Sequence, residues 1–150
     1  EWIVIKCGPD GAVLFTRDGL EIFVGSPSVD VADTVGCGDS AAAAIVLGYL
    51  NIKKARQQAR SEKGSEDLSK EILVHMLEET LTLATAVGAA TAMRAGAGRN
   101  VATAKLVRTL LSKCIGSVHQ DPGGFAISSR AAEQAMHVLD SSLRTHLRKR

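Results

Sequence analysis

Aromatic side chains make up only 3% of the 150 residues, too few for the stacking platforms that hold single-stranded nucleic acid. Cysteine is also sparse. Cys7, Cys37 and Cys114 are odd in number and widely spaced, with no C-x-x-C pair. A disulfide framework is therefore not expected, and a reducing, intracellular compartment is, the cytoplasm first. His75, His119, His137 and His146 lack metal-ligand spacing, and no zinc site is assigned. No apolar run reaches the roughly 18–20 residues that cross a bilayer. Ala41 to Leu50 is too short, and threonines and Gly88 interrupt the 81–93 segment, so no membrane span is expected. The N-terminus carries no basic, apolar leader. The chain opens inside a strand, which leads us to expect a fragment or a processed product. Positive charge is concentrated rather than spread. The net charge is +2, yet Arg144, Arg148, Lys149 and Arg150 lie within the last seven residues. The rest is net negative, which argues against a basic nucleic-acid platform. The tail reads as a solvated helix end whose cations complement the dipole, with an electrostatic contact to RNA or membrane as the alternative.

What is present is the composition of a chain able to bury one core: 45% hydrophobic and 23% charged residues, without repeats or low-complexity segments. Its most informative stretch is Asp33-Thr34-Val35-Gly36-Cys37-Gly38-Asp39-Ser40. Ala41 to Leu50 follows, almost wholly apolar and helix-permissive. The loop thus ends at a helix N-terminus, where backbone N–H groups lack intrahelical partners and the macrodipole is positive. Gly36 and Gly38 leave room for an anion to approach the main chain. Asp39 stands in the first helical turn beside such an anion, placed to take a proton from a hydroxyl attacking it. The plainer reading is a loop closing onto a helix cap, where Asp and Gly are common.

These eight residues resemble the D-T-x-G-A-G-D signature of the ribokinase, or PfkB-type, carbohydrate kinases, with Cys37 where alanine is usual. No phenylalanine follows the aspartate; Ser40 leads into Ala41. Two flanks extend the resemblance from about residue 1 to about residue 115. Trp2 to Cys7 reads as a strand, Gly8-Pro9-Asp10-Gly11 as a tight turn, and Ala12–Thr16 and Leu20–Val24 as further strands. This is similar to the strand, G-x-x-G turn and hairpin lining the family's nucleotide; a plain hairpin is the alternative. The small-residue segment Leu81 to Met93, with Arg94-Ala95-Gly96-Ala97-Gly98 after it, resembles the family's late helix and glycine turn at the adenine. Close helix packing alone would also explain it.

The resemblance implies an ATP-dependent phosphotransferase acting on an alcohol of a sugar, nucleoside or related small molecule. It implies Asp39 as general base and Gly36, Cys37, Gly38 and the Asp39 N–H as the anion hole. It places Lys6, Gly8, Gly11, Thr34 and Thr85 around ATP, whose phosphates carry Mg²⁺. The carbonyls of Asp33 and Val35 match positions for a monovalent cation such as K⁺. The family's domain is about twice this length. A missing N-terminal half, a partner chain or a homodimer is therefore expected, and a catalytically inactive kinase-like binding or structural protein is the alternative function. The expected fold is α/β, the C-terminal portion of a doubly wound, ribokinase-like sheet with helices on both faces. Residues 1–115 form its nucleotide-binding half and 116–150 a loop and C-terminal helical extension. Within this, 51–70 reads as a partly helical surface connection. Ile72, Leu73, Met76, Leu77 and Leu81 open the long helix, Val101–Leu111 is an amphipathic helix, and His119–Phe125 is a loop. Ser128-Ser129 caps a last helix whose stripe is Ala132, Ala135, Met136, Leu139 and Leu143.

Overall fold

The computed structural model describes residues 1–63, 67–96, 101–115, 119–120 and 126–147. Three strands, β1 (Trp2–Lys6), β2 (Ala12–Thr16) and β3 (Glu21–Val24), form an antiparallel meander in that order. Lys6 pairs with Ala12, Ala12 with Val24, and Leu14 with both Val4 and Ile22. Because partners share a face and neighbours alternate, Trp2, Val4, Lys6, Leu14, Ile22 and Val24 look one way. Ile3, Ile5, Val13, Phe15 and Phe23 look the other.

The helices are α1 (Cys37–Lys63), α2 (Lys70–Ala92), α3 (Ala104–Cys114) and α4 (Ser129–Leu147). The first face is buried beneath them, with Leu14 fully covered and Val24 nearly so. The second carries Ile3 at 67%, Ile5 at 51% and Phe23 at 44% exposure. Among the described residues the structure is thus α/β, a small open sheet with helices against its first face, while Val13 is buried on the second. The connections explain the meander. Antiparallel neighbours joined by the 8–11 and 17–20 turns need no crossover helix, whereas parallel strands do.

Side-chain caps set three helix starts. The Ser69 hydroxyl accepts from the Ile72 N–H, Thr103 from Leu106 and Ser128 from Ala131, each closing a first turn. Thr103 moves the start of α3 to Ala104 from the expected Val101. The 51–63 stretch, expected as a partly helical connection, continues α1 without a break, anchored by Ile52 at 2% exposure. His119–Gln120 is a short strand, β4, paired with β5 at Ala126–Ile127 rather than loop. Gly64-Ser65, the Asp121–Phe125 stretch, Ala97-Gly98 and Arg148–Arg150 lie outside the described residues. Of the α4 stripe, Ala132 and Ala135 are buried and Met136 and Leu139 half-buried; the Leu143 side chain lies outside the described residues. Arg108 of α3 and Asp140 of α4 join these helices at 2.6 Å.

α1 and α2 pack antiparallel and close. A Cβ on Gly48 would collide with the Thr80 side chain, and one on Gly88 would touch the Cys37 carbonyl at 3.6 Å and Ala41 at 3.7 Å. The threonines that interrupt α2 in sequence are satisfied inside it. Thr80, Thr82 and Thr91 donate to the carbonyls of Met76, Glu78 and Val87 at 2.7, 2.8 and 2.9 Å. α2 is thus long and apolar enough, by length and composition, to cross a membrane, contrary to the expectation from its threonines. Here it serves as the core helix, with Leu77, Leu81 and Leu83 buried against its neighbours.

One charged group is caught in this packing. Glu79 of α2 faces a cleft lined by Gly48 and Asn51 of α1, Met76, Thr80 and Leu83 of α2 and Val138 of α4. None of these carries charge, and burial pushes the Glu79 carboxyl up to about 7. The neutral acid is the form the fold prefers, so stability from this group is fully present below the unfolded value near 4.5 and is lost as pH rises through about 7. We expect Glu79→Gln to match the wild type at pH 5 and to exceed it by about 1–2 kcal/mol at pH 8, after discounting for the solvent-facing part of the carboxyl. Urea melts at the two pH values check this. Equal pH dependence in both proteins would sink it.

Candidate active site

β3 ends at Val24, and the chain then runs through the buried residues Gly25, Ser26 and Pro27 to the end of α2. There the N–H groups of Ala32 and Asp33 both donate to the Ala92 carbonyl, at 2.8 and 3.1 Å. This anchors the loop on a carbonyl that the helix leaves without an internal partner. The Asp33 carboxylate then accepts twice at 2.9 Å, from the Val35 N–H through Oδ1 and from the Gly96 N–H through Oδ2. These bonds hold its carboxyl below the usual carboxylate range, Val35 contributing most and Gly96 next.

Gly36 follows with φ +83°, a left-handed conformation that costs other residues about 1–2 kcal/mol. It turns the chain into α1: Cys37 N–H donates to the Thr34 carbonyl at 3.3 Å and Ser40 N–H to the Gly36 carbonyl at 2.9 Å. Among the described residues the N–H groups of Gly36, Gly38 and Asp39 meet no acceptor. The loop therefore presents three open donors, with Cys37 N–H already engaged. Burial first, and then the nearby Asp33 charge, pushes the Cys37 thiol up, so at neutral pH it is a small neutral side chain. Asp39 is exposed in the first turn of α1.

The strand register brings a cation to this point. Lys6 is the last inward-facing residue of β1, and its Nζ donates to the Gly38 carbonyl at 3.0 Å. Trp2, on the same face, meets Tyr49 edge-on at 5.6 Å, so β1 runs along α1. Two residues beyond Lys6, Gly8 opens the 3₁₀ turn Gly8–Asp10 with φ +62° and nothing within 4 Å of an added Cβ. Gly11 differs. It is buried at φ +103°, and an added Cβ would overlap the Val24 carbonyl and the Gly25 backbone.

The structure thus gathers Lys6, Asp33, Thr34, Val35, Gly36, Cys37, Gly38 and Asp39, with the Gly8 turn adjoining. Gly11 is turned into the protein against β3. Thr85 is buried in α2, its hydroxyl donated to the Thr82 carbonyl at 3.1 Å. It lies seven residues before Ala92, about 10 Å along the helix from the loop's anchor. The sequence reading missed the Asp33–Gly96 bond and the Ala92 anchor. The Asx turn at Asp33 has a local signal, an Asp two residues before its donor; the partners 59 and 63 residues away have none.

The model of the pfkB family of carbohydrate kinases matches residues 1–104. The chain belongs to this family. Among solved structures it is similar to aminoimidazole riboside kinase from Salmonella enterica, solved with aminoimidazole riboside and an ATP analogue. The two are 27% identical with a TM-score of 0.52, over 73% of this chain and 31% of the kinase. The chain thus spans about a third of that kinase's length. No curated protein sequence matches it. For a pfkB-family chain, the three open N–H groups beside an exposed carboxylate are the feature to explain.

Proposed function

We propose that this chain is the C-terminal, nucleotide-binding part of an ATP-dependent kinase that phosphorylates an alcohol of a sugar, nucleoside or related small molecule. Residues 1–115 form that part and 116–150 a helical extension. The observation that carries the reading is the start of α1, where the Gly36, Gly38 and Asp39 N–H groups are unpartnered beside the Asp39 carboxylate, in a family of carbohydrate kinases.

These residues fit a phosphate: hydrogen-bond donors at a helix N-terminus, no side chain on Gly36 or Gly38, and the Lys6 ammonium 3.0 Å from the Gly38 carbonyl. ATP with Mg²⁺ supplies the electrophilic phosphoryl group and part of its counter-charge. The chain does the rest. Asp39 accepts the proton of the attacking hydroxyl, and the open N–H groups donate to the oxygens on which charge builds. Lys6 adds a positive charge, Gly8 and Thr34 lie on the nucleotide side, and the carbonyls of Asp33 and Val35 are offered to a monovalent cation. Among the described residues no group of three His, Cys, Asp or Glu side chains gathers to hold a metal ion; in this reading Mg²⁺ is carried by the nucleotide.

The exposure of Ile3, Ile5 and Phe23 on one sheet face supports a covering element, either a further segment of the kinase or a partner chain. The odd number and wide spacing of Cys7, Cys37 and Cys114 are the grounds for placing the protein in a reducing compartment. Aminoimidazole riboside, bound by the similar kinase, is the first acceptor to assay.

The test is titration of the full-length protein with Mg-ATP. We expect saturable heat and a thermal shift that grows with nucleotide, about 2.7 kcal/mol of stabilisation at a hundred times Kd. No heat and no shift at millimolar nucleotide would remove the kinase reading and leave a kinase-like structural protein.

A further inference from the structure

Two segments that are far apart in sequence end beside each other: the 33–36 loop that launches α1 and the 94–96 turn that leaves α2. The loop's main chain hangs on the Ala92 carbonyl through two N–H groups. That contact fixes where the loop begins but does not reach the turn. The Asp33 side chain does. Asp33 Oδ1 closes its own Asx turn on Val35, and Oδ2 reaches across to the Gly96 N–H, both at 2.9 Å. Gly96 sits at φ +83°, so the turn presents its N–H in a conformation that glycine adopts without strain. Thr91 braces the same helix end: its hydroxyl donates to the Val87 carbonyl at 2.9 Å and accepts from the Ala102 N–H at 3.3 Å.

We propose that Asp33 is a positioning residue whose carboxylate locks the loop bearing the open N–H groups to the turn after α2, so that a nucleotide held at one segment orders the other. The assignment rests on the kinase reading above, and it concerns the side chain, not the carbonyl offered to a cation. Its chemistry is specific. A carboxylate has two acceptor oxygens and no donor, so it satisfies both N–H groups at once. Asparagine has one oxygen and one NH₂, and must set a donor against a donor. Serine keeps a short acceptor for Val35 in the manner of an ST-turn and is too short to span to Gly96.

The experiment is residue-resolved amide exchange on the full-length protein and its Asp33→Asn and Asp33→Ser variants, with and without saturating Mg-ATP, and nucleotide Kd for each. In the wild type, nucleotide slows exchange across both 34–39 and 94–96. In the variants we expect Gly96 exchange about tenfold faster and Mg-ATP Kd about tenfold weaker, the scale of one hydrogen bond. Nucleotide protection in them stops at 34–39. A merely structural role would not confine the loss in this way, and melting temperatures should stay within about 3 °C. Unchanged Gly96 exchange in either variant, nucleotide protection still reaching 94–96, or loss of the fold in both variants would overturn the proposal. A wild type whose amides ignore Mg-ATP would overturn the kinase reading instead, while the Gly96 exchange rates without nucleotide still report on the link itself.

Discussion

Asp39→Asn should lower kcat by about 10² to 10⁴, equivalent to roughly 3–5 kcal/mol of barrier, while leaving nucleotide affinity within a few-fold of wild type. The substitution keeps the size of the side chain at the first turn of α1 and its exposure to solvent, so the helix start and the open N–H groups beside it should persist. What disappears is the proton acceptor. Removing a negative charge beside the phosphates should, if anything, tighten nucleotide binding slightly. The measurement is steady-state kcat with the acceptor that supports wild-type turnover, together with the Kd for Mg-ATP. A variant that keeps kcat within about threefold would show Asp39 to be a helix-start residue only. The mechanism proposed for this site would then fall, even if ATP still binds.

Gly11→Ala should destabilise the fold by about 3–5 kcal/mol, at the upper end of what single substitutions do, whereas Gly8→Ala should cost only about 1 kcal/mol. The two glycines bracket the same short turn, and sequence alone treats them alike. Gly11 has φ +103°, and its added Cβ would land on the Val24 carbonyl and the Gly25 main chain. Backbone cannot swing aside as a side-chain end can, so either β3 moves or the turn opens. Gly8 is exposed at φ +62° with open space around it, so its penalty is conformational alone. Denaturant melts of the two variants side by side check the contrast. Equal losses would mean that Gly11 is not the contact holding the turn against β3. Nucleotide binding should follow the opposite order, with Gly8→Ala affecting it more directly because Gly8 lies on the open side.

Much of the site was legible because its parts are local. The glycines at 36 and 38, the aspartate in the first turn and the apolar run after them lie within one short window, and the structure forms a helix start there. The cap at Ser128 and the bulk of α2 and α3 were legible for the same reason. Thr85 shows the limit. A polar residue in a small-residue helix reads equally well as a ligand contact or as a packed hydroxyl. Its hydroxyl donates to the Thr82 carbonyl one turn back, a bond either reading allows. Cys37 shows another. A helix N-terminus lowers a thiol pKa in general, yet burial and the Asp33 charge move this one upward.

By itself the sequence determined the loop, the starts of α1 and α4, the strand alternation and the family resemblance. Each depends on residues within a turn or two of one another, where side-chain and backbone groups meet whatever the rest of the chain does. Tertiary structure alone decided that Lys6 reaches Gly38 across 32 residues and Asp33 reaches Gly96 across 63. It also decided that Gly11 closes on β3, that Ile3, Ile5 and Phe23 are exposed on one sheet face and that burial pushes the Glu79 carboxyl up to about 7. Those outcomes follow from strand register and from the close approach of α1 and α2. Both are set by the summed packing of many distant side chains, so no short window of sequence carries them.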